Sequence, residues 1–402
     1  MTDIYIYDAV RTPRGKGRAG GALSGCTPQA LVGTLTEALE ARTSPDAVRR
    51  AASLTLGCVT QFGAQGGHIA LVSRLAAGLP ETMRAVTLNN FCVSGLTAVA
   101  AAADEAAARR DARLRLAGGV EMMSRAPFMA DQGFHYSDPE TSASLGYVPV
   151  VLSADLMAAR EGLTREALDA VTARSHARAA RAWARGGLDE VIAVAGRDGA
   201  VILAADECVR ADMTLERLSA LKPAFAALGA QGYDARMLAA CPELDEISHV
   251  HTLAHCPPLA DAAALVLLGA RDAGEAAGIR PKARIRALEQ TAGDPVLQLT
   301  SGFAAMERAL DAAGARLADM ERIEFMEAFA AVPAKFERDY APDPERVNPD
   351  GGHLAMGHPM GATGAILVAA LLAGLERQDA STGLAVAHGG SGVGAAIIIE
   401  RV

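Results

Sequence analysis

Cys92 stands in the run Leu88-Asn89-Asn90-Phe91-Cys92-Val93-Ser94-Gly95-Leu96, where an apolar strand-like stretch passes into the alanine-rich segment Thr97–Ala108. A thiol at the mouth of a helix meets unpaired backbone N–H groups, whose partial positive charge lowers its pKa and favours the nucleophilic thiolate. The competing reading is a small core residue, because free cysteine is among the most buried residue types. Two further segments are richer in glycine than packing requires. Asn348–Gly364 holds five glycines and two histidines, His353 and His358, in seventeen residues. His388-Gly389-Gly390-Ser391-Gly392-Val393-Gly394 repeats the pattern, and Met326-Glu327-Ala328-Phe329 closes another apolar run. Glycine at this density frees backbone N–H groups to act as donors and lets the chain approach a ligand closely. Nucleophile, imidazole and backbone donors together are the components of nucleophilic catalysis.

The elements that must position these groups follow an α/β rhythm. Short apolar runs at Leu54–Val59, Arg84–Leu88 and Arg113–Ala117 alternate with helical segments at Ala70–Ala77 and Leu96–Ala108, as in βα units around a mostly parallel sheet. After Ala262–Leu268 a second series begins: strand Ile285–Ala287, helix Gly302–Ala313, strand Ile323–Met326, helix Ile366–Leu375, and strands Gly383–Ala387 and Ala395–Glu400. Each series offers a strand, a turn with a reactive side chain and a small-residue helix, which suggests duplication. The expected division is residues 1–275 and 276–402. The first half contains an insertion at about 127–250, of a kind that builds a lid or substrate-facing subdomain.

With 402 residues, half of them apolar, the chain can bury a large core, and its net charge of −9 disfavours nucleic acid and anionic membrane as partners. No uninterrupted apolar run reaches bilayer length; Ala365–Leu372 is the longest candidate and glycines bound it. The N-terminus alternates like a strand and lacks the layout of a signal peptide. Six scattered cysteines without a CxxC fit a reduced, cytoplasmic setting. His249, His251, His255 and Cys256 have metal-ligand chemistry at close spacing, but Pro257 and Pro258 break any regular ligand scaffold, and no metal is expected.

Over essentially its whole length the chain resembles the thiolases, the acetyl-CoA acetyltransferase and 3-ketoacyl-CoA thiolase family. The resemblance rests on AVRTPRG, NNFCVSGL, GGVEMMSRAPF at Gly118–Phe128, LKPAF at Leu221–Phe225, GHPMGATG and GGSGVGAAIIIERV. It implies two similar α/β/α halves, each with a five-stranded mixed sheet, an inserted loop domain, and a homodimer or homotetramer. It implies acyl-CoA and CoA as substrates with no separate cofactor. By the same resemblance Cys92 matches the cysteine that takes the acyl group and His358 the histidine that activates it. Backbone N–H groups near Cys92 and in the loop containing Gly390 and Gly392 match the oxyanion-binding positions. Lys222 matches a basic position near the CoA nucleotide, and Pro257 and Pro258 fall in the segment lining the pantetheine tunnel.

The chain departs from that pattern at three places, the first being His255-Cys256-Pro257-Pro258, where the family carries a segment of the Asn-Ala-Ser-Gly type and the prolines remove N–H donors. His388 stands where the family carries a second cysteine, the base for the α-proton, and Met326 stands where it carries Asn or His. Imidazole can carry a proton in place of a thiol. Methionine supplies only a weak sulfur acceptor and no donor. The leading expectation is reversible Claisen condensation or thiolytic cleavage of 3-ketoacyl-CoA through a Cys92 acyl-enzyme with His388 as base. The alternatives are decarboxylative condensation or thioester hydrolysis on the same cysteine, or a subunit that binds acyl-CoA without chemistry.

Overall fold

Ile4–Arg11 (β1) is buried at every residue despite its alternating sequence. Ile4 and Ile6 enter one apolar core and Tyr5 and Tyr7 the other, so helices must cover both faces of the sheet. The polar members of β1 are matched by partners. Asp8 accepts from Arg42 Nε at 2.6 Å and Lys282 Nζ at 3.0 Å, and Tyr7 Oη donates to the Ala270 carbonyl.

The computed structural model describes residues 3–109, 111–186 and 188–402. The remaining strands are β2 (Gly15–Lys16), β3 (Ser53–Gly57), β4 (Arg84–Leu88), β5 (Arg115–Met122), β6 (Val194–Ala195), β7 (Val201–Leu203), β8 (Ala260–Ala270), β9 (Ala283–Ala292), β10 (Arg322–Phe325), β11 (Thr382–Gly389) and β12 (Val393–Arg401). One mixed sheet runs β10-β11-β12-β9-β1-β8-β5-β3-β4, with β2 against β8 and a separate β6–β7 ribbon. The two sheets expected of the two halves are therefore continuous. They join where β1 meets β9 through Tyr5–Arg284 and Ile6–Ala283. The N-terminal half supplies β1, β3, β4, β5 and β8, while the C-terminal half supplies β9 to β12, its fifth place reduced to a bridge between Ile323 and Val347.

The longer helices are α1 (Pro28–Arg42), α2 (Ile69–Ala76), α3 (Ser94–Arg109), α4 (Val150–Glu161), α5 (Arg165–Ala184), α6 (Ser301–Ala313), α7 (Ala331–Tyr340) and α8 (Met360–Gln378). α3 and α8 pack on each other at backbone distance. A Cβ on Gly95 would lie 2.7 Å from the Ala365 nitrogen, and one on Gly364 would lie 2.3 Å from the Leu96 nitrogen. Only glycine permits that crossing, which brings the N-terminal ends of the two helices together.

By length and composition, Phe91–Arg109 and Met360–Gln378 are apolar enough to cross a membrane. The glycines that bound the second run are interior residues of α8, Gly364 at the crossing and Gly374 against the Arg322 side chain. The apolar window of α8 is 83% buried within the protein, and that of Phe91–Arg109 is 56% buried. The insertion carries α4, α5, the ribbon and several short helices, with a small core of its own at Val148, Leu152, Leu156, Met237 and Cys241.

Candidate active site

Cys92 lies in the turn between β4 and α3, and the residues around it explain the turn. Phe91 adopts a left-handed φ of 46°, uncommon for a bulky side chain. Asn89 Oδ1 accepts its N–H at 2.9 Å, while Ser94 Oγ accepts the Asn90 N–H at 2.8 Å and donates to the Phe91 carbonyl at 2.6 Å. This bracing holds the Cys92 sulfur toward its own N–H and that of Gly390, both of which favour the thiolate. Burial works against them and prevails, aided by the nearby Glu121 carboxylate, so the thiol is pushed up to about 11. The low thiol pKa expected from a helix mouth is thus reversed: in the resting protein Cys92 is a neutral thiol.

His358 precedes α8. Its main-chain N–H donates to the Pro258 carbonyl at 2.7 Å, and its Nδ1 meets Thr363 Oγ1 at 2.7 Å. Burial, reinforced by the positive charge of Arg14, lowers its pKa to about 3, so the imidazole is neutral. The Gly95–Gly361 approach, with the would-be Cβ 2.9 Å from the Gly361 carbonyl oxygen, joins this end of α8 to the Cys92 end of α3. Cys92 and Phe91 also pack with Met360, two residues beyond His358. A neutral thiol and a neutral imidazole brought to the same helix crossing are the components of general-base activation.

Two buried carboxylates hold the loops in place, and residue types alone did not single them out. Glu121, at the end of β5, accepts the N–H groups of Val59 (2.8 Å), Thr60 (3.1 Å) and Gly361 (3.0 Å) and the Gln65 amide (2.7 Å). Glu327, just past β10, accepts from Ser175 Oγ, Asn348 Nδ2 and the Leu354 N–H. The available signal was an ionisable residue ending an otherwise apolar strand.

His388 ends β11 with its ring fully enclosed. Nδ1 lies 3.0 Å from the Leu299 carbonyl, which can only accept, so Nδ1 carries the proton and Nε2 the lone pair. The ring meets Phe303 and Phe325 edge to face, with centroids 5.1 and 5.0 Å away, and a Cβ on Gly302 would fall 2.4 Å from Nδ1. Burial lowers its pKa to about 4. Met326 is buried beside it, and its Sδ accepts the His388 main-chain N–H. Gly390 directs its N–H at Cys92, whereas the Gly392 carbonyl accepts from Ser301 Oγ at 2.7 Å and from the Gly293 N–H at 2.8 Å.

The other predicted positions are dispersed. Lys222 is exposed after a short helix. Pro257 is buried and Pro258 partly so, and their segment runs beside His358 through a Leu259–His358 bridge. His249 and His251 both bind Asp155, at 2.8 and 2.7 Å, and His255 binds Asp169 at 2.7 Å. These histidines fasten the insertion to itself. Cys256 is pushed up to about 12 by burial.

A continuous sheet made by two α/β halves, with two small-residue helices crossing at the ends that carry a thiol and an imidazole, defines a class of acyl-transferring enzymes. Residues 4–231 match the family model described as "Thiolase, N-terminal domain", and residues 279–401 match "Thiolase, C-terminal domain". The chain is 33% identical over 411 residues to a 3-ketoacyl-CoA thiolase of Citrobacter koseri, with all of both chains covered. It is 32% identical over 421 residues to a beta-ketoadipyl-CoA thiolase of Pseudomonas knackmussii, covering 100% of this chain and 99% of that one. It is 34% identical over 421 residues to a steroid 3-ketoacyl-CoA thiolase of Mycobacterium tuberculosis, covering 100% and 95%. The chain belongs to the thiolase family and is an acyl-CoA acyltransferase of thiolase type.

Proposed function

We propose that the protein cleaves or forms 3-ketoacyl-CoA thioesters through an acyl group carried on Cys92. The observation that carries this reading is the Cys92 sulfur facing the Gly390 N–H and its own N–H, donors suited to a thiolate. His358 Nε2 takes the thiol proton, with Thr363 fixing the ring, and the thiolate attacks the thioester carbonyl. CoA leaves as its thiol, so one thioester replaces another. In the condensing direction His388 Nε2 removes the α-proton of a second acyl-CoA, and the carbanion attacks the acyl-Cys92 carbonyl. Lys222 and the Pro257–Pro258 segment contact CoA. The protein works in the cytoplasm as a homodimer or homotetramer, with CoA thioesters as substrates and no further cofactor.

A second reading has its own support. A histidine held near 4 inside an aromatic cage is a weak base, and Met326 offers no donor. Acyl transfer from Cys92 to a thiol or water, without α-proton removal, avoids both difficulties.

Acetoacetyl-CoA separates the readings. Acetyl on Cys92 by mass spectrometry, with CoA-dependent loss of acetoacetyl-CoA, is the expected result. Acetyl-Cys92 formed from acetyl-CoA that only hydrolyses supports the second reading, and an unmodified Cys92 with every thioester overturns both.

A further inference from the structure

Arg14 is 3% exposed, yet among the described residues no carboxylate lies within ion-pair distance of its guanidinium. Its Nη1 donates to the Gly357 carbonyl at 3.1 Å, and its Nε has no partner. A buried cation without a counter-charge is costly, and native proteins pair such groups. The nearby carboxylates are committed elsewhere. Asp206 takes both Nη1 and Nη2 of Arg11, at 2.8 and 3.0 Å, and Glu324 and Asp350 both bind Arg322 at 2.7 Å. Asp350 also serves Arg377 and Arg185.

Arg14 borders an internal cavity of about 20 Å³ shared with Arg11, Arg322, Glu190, Glu324 and His353. That volume exceeds the roughly 10–15 Å³ that a single water needs. Four of these residues leave buried nitrogens unpartnered: Arg11 Nε, Arg14 Nε, Arg322 Nη1 and both ring nitrogens of His353. The unmatched acceptors among them are Glu190 Oε2 and one ring nitrogen of His353, which burial keeps neutral. Donors outnumber acceptors, which suits a partner that accepts hydrogen bonds, and the uncompensated charge of Arg14 favours one that is negative. Glu190 and Glu324 do not remove the need. Burial raises Glu324 to about 7, which weakens it as a counter-ion at neutral pH, and moves Glu190 in the same direction.

We propose that this cavity at the seam between the halves binds one chloride-sized monovalent anion as the counter-ion of Arg14. The same guanidinium grips the Gly357 carbonyl, and His358 follows it, so the occupied site fixes the approach to α8. This role does not depend on which thioester reaction the protein performs.

Crystals of the full chain grown in sodium bromide test the site directly. The expected result is an anomalous bromide peak within hydrogen-bonding distance of Arg14; a water there, with no anomalous signal, overturns the proposal. Thermal unfolding of the wild-type protein in sodium chloride and in sodium gluconate of equal ionic strength is the second measurement. Chloride is expected to raise Tm by about 2 °C or more. Equal Tm in the two salts makes any bromide peak a crystal-concentration effect and also overturns it. Arg14→Gln is expected to abolish the chloride-specific shift. Should that variant not fold, the two wild-type measurements decide alone.

Discussion

The main-chain N–H of His388 donates to Met326 Sδ across 3.3 Å. Two residues that the sequence reading singles out, one closing β11 and one following β10, are therefore in direct contact. β10 and β11 run parallel, and the Met326 N–H continues their pairing by donating to the Val386 carbonyl at 2.9 Å. A replacement at either position acts on the other.

That contact predicts coupling between the sites. Changing His388→Cys alone leaves a void against Phe303 and Phe325 and keeps a residue at 326 that donates nothing. Met326→Asn alone puts a polar amide beside a caged imidazole. The double variant is expected to exceed the product of the single effects on acetoacetyl-CoA thiolysis by about tenfold, ~1.4 kcal/mol of coupling. Simple multiplication of the two effects in a double-mutant cycle would separate the sites functionally.

Thr363→Val removes the hydroxyl 2.7 Å from His358 Nδ1 and leaves the ring's size and burial intact. A buried hydrogen bond of this kind is worth about 1 kcal/mol, so kcat is expected to fall by about five- to tenfold with KM little changed. The rate of Cys92 acetylation, followed by quenched-flow mass spectrometry, should fall in step. An unchanged acetylation rate would remove His358 from the activation step.

Much of this arrangement is legible in residue order. β4 spans the Arg84–Leu88 run and α3 extends its expected segment by one or two residues at each end, whereas α8 begins six residues before Ile366 and so takes in Gly361–Gly364, which sequence reads as a turn. What sequence order hides is long-range contact. Leu299, Phe303 and Phe325 lie 63 to 89 positions before His388, and no local pattern shows that together they enclose it. The Cys92 pKa was misjudged for a related reason: the helix-end field is a local property, whereas the desolvation that outweighs it comes from packing against Met360, Val59 and Met123. Glu121 is visible only as a letter in GGVEMMSR, because its four donors come from the connection between β3 and α2 and from the first turn of α8, both distant in sequence.

Glu121→Ala is expected to destabilise the protein by about 3–5 kcal/mol, since it strands the N–H groups of Val59, Thr60 and Gly361 in the interior. Glu121→Gln keeps one acceptor oxygen and the side-chain shape and should cost about half as much. Chemical denaturation with an unchanged m-value checks both. If the alanine variant is no less stable than the glutamine variant, those donors have found other partners.

Acid should unfold the protein partly through its buried histidines, and His388 allows the sign to be worked out. Its folded pKa is about 4, below the ordinary 6.5, because the fold buries the ring and admits the neutral form. Between pH 6.5 and 4 the unfolded chain binds a proton at this residue that the folded chain refuses. Stability from His388 is therefore complete above 6.5 and is lost as pH falls toward 4. His176 and His255, both near 4, and His358, near 3, act in the same direction. His388→Phe keeps an aromatic ring between Phe303 and Phe325 and removes the titration. The slope of unfolding free energy against pH, from urea melts between pH 6 and 4.5, should flatten by close to one proton, about 1.4 kcal/mol per pH unit. Loss of the Leu299 hydrogen bond should lower stability at pH 8, so the wild-type and variant curves converge on acidification. Parallel curves would mean that His388 takes up a proton while the protein is folded, and the enclosed neutral imidazole would have to be abandoned.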